Sequence, residues 1–414
     1  MSDTTKSPVM PMAIIGGMFF IFGFVTWLNG PLITFVKLAF TLDDVSAFLV
    51  PMAFYMSYFF LSLPAAAILR RTGMKKGMAL ALLVMAVGAA AFGQFVDMRV
   101  FPGALTALFV IGAGLSILQT ASNPYISILG PIDSAAQRIA FMGICNKLAG
   151  ALAPIAFAAV VMTGVSGLAD QVAAAEPAAR ETLLNAFAHK VYLPYMAMAG
   201  LLAVLALGVL LSPLPEVGDR SNAEDTTRGT SLFSHANLWL GFVCLFLYVG
   251  VEVMAGDAIG TYGRAFGLPL DQTKYFTSGT LVAMLAGYIV GLVVIPRFVS
   301  QARYLVFSAV LGVLFTAAAY LTKGYASVAC VAALGFANAM MWPAIFPLGI
   351  KGLGRHTETG SAILVMGIAG GAVIPQLFAV LKTHYDFQLV FAALMVPCYL
   401  YIMLFGLFAA RKKA

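Results

Sequence analysis

The chain is written in long apolar runs broken by short charged or Gly/Pro turns, and the length of the runs sets the first expectation. A helix rises about 1.5 Å per residue, so about 20 apolar residues cross a hydrocarbon core of about 30 Å. Runs of that size fall near residues 10–36, 46–69, 77–97, 101–129, 138–164 and 191–212, then 234–263, 272–296, 303–322, 326–350, 358–381 and 386–410. These are spans 1 to 12, divided by a polar stretch with Glu216, Asp219, Arg220, Glu224, Asp225 and Arg228. The pattern predicts an all-α membrane protein, with a six-helix bundle over 1–212, a cytoplasmic linker over 213–231 and a second six-helix bundle over 232–414. Span 1 is too long for a signal peptide and lacks a small-residue cleavage site, so it is expected to stay in the mature chain.

The halves echo each other. FIFGFVTWLNGPLITFVKLAF in span 1 aligns with FLYVGVEVMAGDAIGTYGRAF in span 7 at a constant offset of 226, which sets Gly30 opposite Gly256. LQTASNP in span 4 meets ANAMMWP in span 10 at an offset of 219, pairing Gln119 with Asn338 and Pro124 with Pro343. Parallel repeats of this kind belong to two-bundle transporters, which hold substrate between the bundles at mid-membrane and expose it alternately to each side.

Composition agrees with a membrane protein: 61% of residues are hydrophobic and 10% charged, against about half and a quarter in soluble domains. The net charge of +7 does not mark a nucleic-acid binder, because the basic residues sit in short turns and not in one aromatic-interleaved patch. Counted by side, Arg70, Arg71, Lys75, Lys76, Arg138, Arg297, Arg303, Lys351 and Arg355 fall with both termini, and fewer basic residues, Lys37, Arg99 and Lys382 among them, fall opposite. The excess predicts cytoplasmic termini. Cys145, Cys244, Cys330 and Cys398 lie singly within spans, without metal-site or disulfide spacing. His189, His235, His356 and His384 fall at span ends or loops, and no nucleophile or metal constellation suggests an enzyme or a cofactor.

Within the spans, three ionisable residues stand out: Lys147, Glu252 and Asp257. Intramembrane charge is costly and points to function. Together they sum to minus one, which gives the protein a reason to bind a monovalent cation. Glu252 and Asp257 are separated by about 140° on an ideal helix, so they converge on one ion only if the helix loosens at Gly256. A loosened turn frees carbonyl oxygens, hard ligands suited to sodium. Asp257 is therefore the expected main sodium ligand and Glu252 its partner. A proton is the alternative, since burial favours the neutral form of an acid. Lys147 is the expected charge partner, either as a static pair with Glu252 or as a competitor of the cation.

Spans 1, 4, 7 and 10 also concentrate Gly, Pro and polar side chains, which are too costly to face lipid. A polyhydroxylated solute needs groups that both donate and accept, with flat apolar platforms. Asn29, Gln119, Asn123, Asn146 and Asn338 supply amides, and Trp27, Tyr55 and Trp342 supply rings. The competing role for any single amide is a bond between helices worth about 1 kcal/mol.

At FFIFGFVTWLNGPL, GLSILQTASNPYISILGP, YVGVEVMAGDAIG and WPAIFPLGIKGLGRHT, running on to Ile368, Gly370 and Gly371, the chain resembles the fucose:proton symporter family of the major facilitator superfamily. The resemblance covers nearly the whole chain, although RRTGMKK after span 2 is a degenerate form of the superfamily's loop signature. It implies inward transport of a hexose or amino-hexose, with Asn29, Gln119, Asn123 and Asn146 matching the family's polar cavity positions. It also implies proton coupling through an Asp after the span 1 Asn and a Glu in span 4. Gly30 and Gln119 occupy those places here, so coupling is expected to move to span 7, and with it the preference for sodium. The sequence thus predicts a sodium-coupled importer of a hexose or N-acetylhexosamine, a monomer in a bacterial inner membrane. A proton-coupled symporter is the alternative, and a sugar sensor without transport is the alternative of another class.

Overall fold

A computed structural model describes residues 9–128, 135–212, 214, 231–295 and 297–411. Among the described residues, twelve helices are long and apolar enough to cross a membrane. Span 1 covers Met12–Ala39, span 2 Asp44–Thr72, span 3 Met74–Asp97, span 4 Phe101–Ser122, span 5 Arg138–Val160 and span 6 Pro177–Leu211. Span 7 covers Ala236–Gly256, span 8 Leu270–Val294, span 9 Gln301–Leu321, span 10 Gly324–Ile350, span 11 Thr357–Leu381 and span 12 Phe387–Arg411. Every expected span is present within a few residues, except that helix Pro177–His189 extends span 6 into a segment read as loop. A further short helix, Val165–Ala174, fills the same connection. Nearly all of the linker, 213–231, lies outside the described residues.

The helices pack as two six-helix bundles, spans 1 to 6 and spans 7 to 12. Two seams join the bundles, span 2 against span 11 and span 5 against span 8. Small residues allow the closest approaches, as usual where helices pack in lipid. A methyl group built on Gly23 of span 1 would overlap the Asn146 backbone of span 5, and one on Gly370 of span 11 would overlap the Phe246 carbonyl of span 7.

Spans 1, 7, 10 and 11 are each broken within their length. Span 1 changes from Val9–Trp27 to Asn29–Ala39, and span 7 continues after Gly256 only as Ile259–Ala265. Span 10 is divided into Gly324–Asn338 and Met341–Ile350, and span 11 into Thr357–Met366 and Gly370–Leu381 around a tight turn. Three of these breaks fall at the Gly- and Pro-rich positions that set spans 1, 7 and 10 apart in the sequence. Span 4 shares that composition, yet Phe101–Ile128 is one helix.

The faces of the protein differ. One carries Arg70, Arg138 and Glu358; there Arg70 pairs with Glu358 at 3.5 Å, both side chains being exposed. At the other, Asp44 accepts from both Lys37 and Lys382, and Gln376 donates to the Val45 carbonyl at 3.1 Å. The Lys382 and Gln376 contacts tie the second bundle to the first.

Candidate functional site

Between the bundles lies a cavity of about 90 Å³. The first bundle contributes Phe19, Phe22, Thr26, Trp27, Tyr55, Tyr58, Gln119, Ile139, Gly143, Asn146 and Lys147. The second contributes Tyr248, Val249, Glu252, Val253, Tyr288, Trp342, Pro343 and Ile368. Five of the eight expected substrate residues therefore meet here: Trp27, Tyr55, Gln119, Asn146 and Trp342. Gln119 Oε1 and Thr26 Oγ1 are buried without a hydrogen-bond partner. Two unpaired polar atoms in one cleft are what a polyhydroxylated ligand would satisfy.

Two of the other three expected residues stand elsewhere. Asn29 turns its amide back on the Thr26 carbonyl, at 3.1 Å, and closes the break in span 1. Asn338 is fully buried and accepts from the Tyr399 hydroxyl at 2.9 Å, with its Nδ2 unpaired. Both act as bonds within or between helices, the competing role weighed for amides. The side chain of Asn123 lies outside the described residues. Trp27 lines the cavity, but its ring is occupied: methyl groups built on Gly150 or Gly256 would overlap it, and Lys147 Nζ stands 4.4 Å from the ring centre. It is a packing wedge and not a free stacking platform. Trp342 stacks on Phe346, with ring centres 5.7 Å apart.

The three intramembrane charges divide into two groups. Lys147 Nζ donates to Glu252 Oε1 at 2.8 Å, and both residues line the cavity. Glu252 sits on the last regular turns of span 7, so the pair ties span 5 to span 7. Asp257 follows the break and does not line the cavity; it is 1% exposed. Its Oδ2 accepts from the Tyr55 hydroxyl at 3.0 Å, the Gly30 backbone N–H lies near the carboxylate, and its Oδ1 has no partner in hydrogen-bond geometry. The acids thus face different surroundings instead of converging on one ion.

The carbonyls of the loosened turn, expected to serve sodium, accept hydroxyls from span 8 instead. Thr277 donates its hydroxyl to the Gly256 carbonyl and Thr280 donates to the Ala255 carbonyl, each at 2.8 Å. The Val253 carbonyl accepts from the amides of Asp257 and Ala258. The carbonyls of Ala255 and Gly256 each already accept a hydroxyl, and the neighbour of the Asp257 carboxylate is a donor. Among the described residues, no group of three or more His, Cys, Asp or Glu side chains is placed to hold a metal.

Tyr58, Tyr248 and Tyr288, together with Phe19 and Phe22, were not singled out in the sequence. With 15 Tyr and 32 Phe in the chain, an aromatic at helical spacing carries little signal. Thr26 did carry one, lying two residues before the break in span 1.

The sequence profile of the Major Facilitator Superfamily matches residues 15–375. A glucose/galactose transporter of Brucella abortus biovar 1 (strain 9-941) is 31% identical over 402 residues, covering 95% of this chain and 93% of that one. An L-fucose-proton symporter of Escherichia coli (strain K12) is 27% identical over 381 residues, covering 89% of this chain and 86% of that one. The chain belongs to the major facilitator superfamily, within its fucose:proton symporter family. Its fold is the family's: the crystal structure of a superfamily transporter, FucP, in the outward conformation matches with a TM-score of 0.78 at 24% identity, covering 98% of this chain and 99% of that chain. Proteins of this family and fold are transporters and not enzymes.

Proposed function

We propose that this facilitator imports a hexose or an N-acetylhexosamine together with a proton, by alternating access. The observation that carries the reading is the placement of Asp257. A buried carboxylate with one unpaired oxygen stands one phenol away from a cavity with unpaired polar atoms of its own. An uncompensated buried charge is costly, and a proton on Oδ1 removes it without needing the coordination shell of a metal ion. The proton replaces the sodium expected from the sequence, because the carbonyls of Ala255 and Gly256 are bound by span 8 and because one relative is named a proton symporter. The sugar class follows from the relatives' names and from the unpaired atoms of Gln119 and Thr26.

In this reading Gln119, Thr26, Asn146 and Glu252 receive sugar hydroxyls, with Trp342 and the ring of Tyr55 as apolar walls. Lys147 holds Glu252 in the ion pair between spans 5 and 7. The bundles 1–212 and 232–414 rock about the linker 213–231, and a monomer suffices because the cavity is built within one chain. The excess of basic residues on the Arg70 face puts both termini in the cytoplasm of a bacterial inner membrane.

The test is transport by the purified protein in proteoliposomes. D-glucose, D-galactose, L-fucose and N-acetyl-D-glucosamine are offered in counterflow, then in uptake driven by a pH gradient or by a sodium gradient at constant pH. Counterflow of at least one sugar, with accumulation under the pH gradient alone, is expected. Accumulation driven by sodium at constant pH contradicts the proton assignment.

A further inference from the structure

We infer that Tyr55 is the positioning residue that makes sugar occupancy and the charge on Asp257 depend on each other; this rests on the reading of Asp257 given above. Tyr55 is the described side chain that both lines the cavity and bonds to Asp257. It stands on span 2 of the first bundle and Asp257 on span 7 of the second, so their bond crosses the plane along which the bundles must separate.

The ring is held by its surroundings. Phe54 meets it edge to face, with centres 5.0 Å apart. Gly371 of span 11 lies against its face: a methyl group built there would be 3.2 Å from the ring carbons. The phenolic oxygen is therefore fixed in place, while its hydrogen can turn. Without sugar that hydrogen goes to Asp257; a sugar oxygen in the cavity that accepts it takes it from the carboxylate, because a phenol has one hydrogen to give. The carboxylate then loses the donor that favoured its charged form, so sugar binding favours proton uptake.

Coupling follows from the two strengths of one bond. With Asp257 ionised, the Tyr55 bond is charge-assisted and about twice as strong as with the acid neutral. Protonation moves one proton from hydronium to Oδ1: one O–H bond of hydronium breaks, one forms on the carboxylate, and a water is left. It weakens the tie between the bundles, so the protonated carrier with sugar bound is released to move. Loss of that proton on the other side restores the tie. Without the phenolic hydrogen, the charge on Asp257 no longer governs how the bundles are joined.

The test compares Tyr55→Phe with Asp257→Asn in proteoliposomes, using the four sugars named above. Tyr55→Phe keeps the ring and its packing. Counterflow should fall, because the phenol touches the sugar, but accumulation under a pH gradient should fall at least tenfold more than counterflow does, and sugar-induced proton uptake should disappear. In the double variant the tyrosine change should add no further loss of coupling, since the two residues act as one unit. Equal losses in counterflow and accumulation, unaltered coupling in Tyr55→Phe, or additive losses in the double variant each overturn the inference. If Asp257→Asn itself remains coupled, the proposed function fails with it; if only Tyr55→Phe remains coupled, the failure belongs to Tyr55 alone.

Discussion

Lys147 of span 5 and Glu252 of span 7 form an ion pair at 2.8 Å with side chains only 9% and 10% exposed, one partner from each bundle. Removing one member of such a pair leaves an unpaired charge in a poorly solvated place, at a cost of about 3–5 kcal/mol, whereas removing both is often neutral. Lys147→Ala is therefore expected to lower the thermal midpoint of the detergent-solubilised protein steeply. Lys147→Met combined with Glu252→Gln should recover most of it. Recovery of folding without recovery of sugar affinity would mark Glu252 as a substrate contact as well as a structural one.

Gly256 governs the packing of Trp27. A methyl group at that position would overlap the indole ring, and overfilling a packed site costs about 1–3 kcal/mol. Gly256→Ala should displace the ring and with it the Lys147 that rests on its face. The chain has three Trp residues, so a variant in which Trp239 and Trp342 are Phe reports on Trp27 alone. A shift of its emission maximum on adding Gly256→Ala is the expected result.

Gln119 and Thr26 test the cavity. A neutral hydrogen bond contributes about 0.5–1.5 kcal/mol, so Gln119→Ala should weaken sugar binding by about 2- to 13-fold, and Thr26→Val by a similar factor. Binding measured calorimetrically on solubilised protein should change without loss of proton coupling in vesicles.

Asp43, between spans 1 and 2, supplies a control for pH. Its carboxylate is held below the usual range by the side chain of Ser46, assisted by the Ser46 backbone N–H that it accepts at 2.9 Å. A depressed value means the contact is intact above the ordinary carboxylate range and is lost only on acidification through the lower folded value, below about pH 4. Any change in transport between pH 5 and 8 must therefore come from another group. Asp43→Asn should leave the pH profile of uptake unmoved.

Much of the fold was legible because hydrocarbon thickness fixes span length, and the offset repeat of spans 1 and 7 revealed the paired bundles. The site was partly legible for a similar reason: polar side chains in lipid-length runs must turn inward, as Gln119, Asn146, Lys147 and Glu252 do. What the sequence lacked was direction. Asn29 and Asn338 have the same chemistry as Asn146, but each spends it on a helix break or a neighbouring helix. Nor could spacing reveal that Thr277 and Thr280, two unremarked hydroxyls on another span, would bind the carbonyls beside Asp257. That contact is one of the grounds on which a proton is proposed in place of the expected sodium.

The central claim is that Asp257 carries the coupling proton, and the pH inside vesicles loaded with a proton-sensitive dye measures it most directly. With the native protein, adding a transported sugar outside should acidify the lumen. With Asp257→Asn, counterflow of the same sugar should persist while the acidification vanishes. Acidification of native extent with Asp257→Asn would contradict the account.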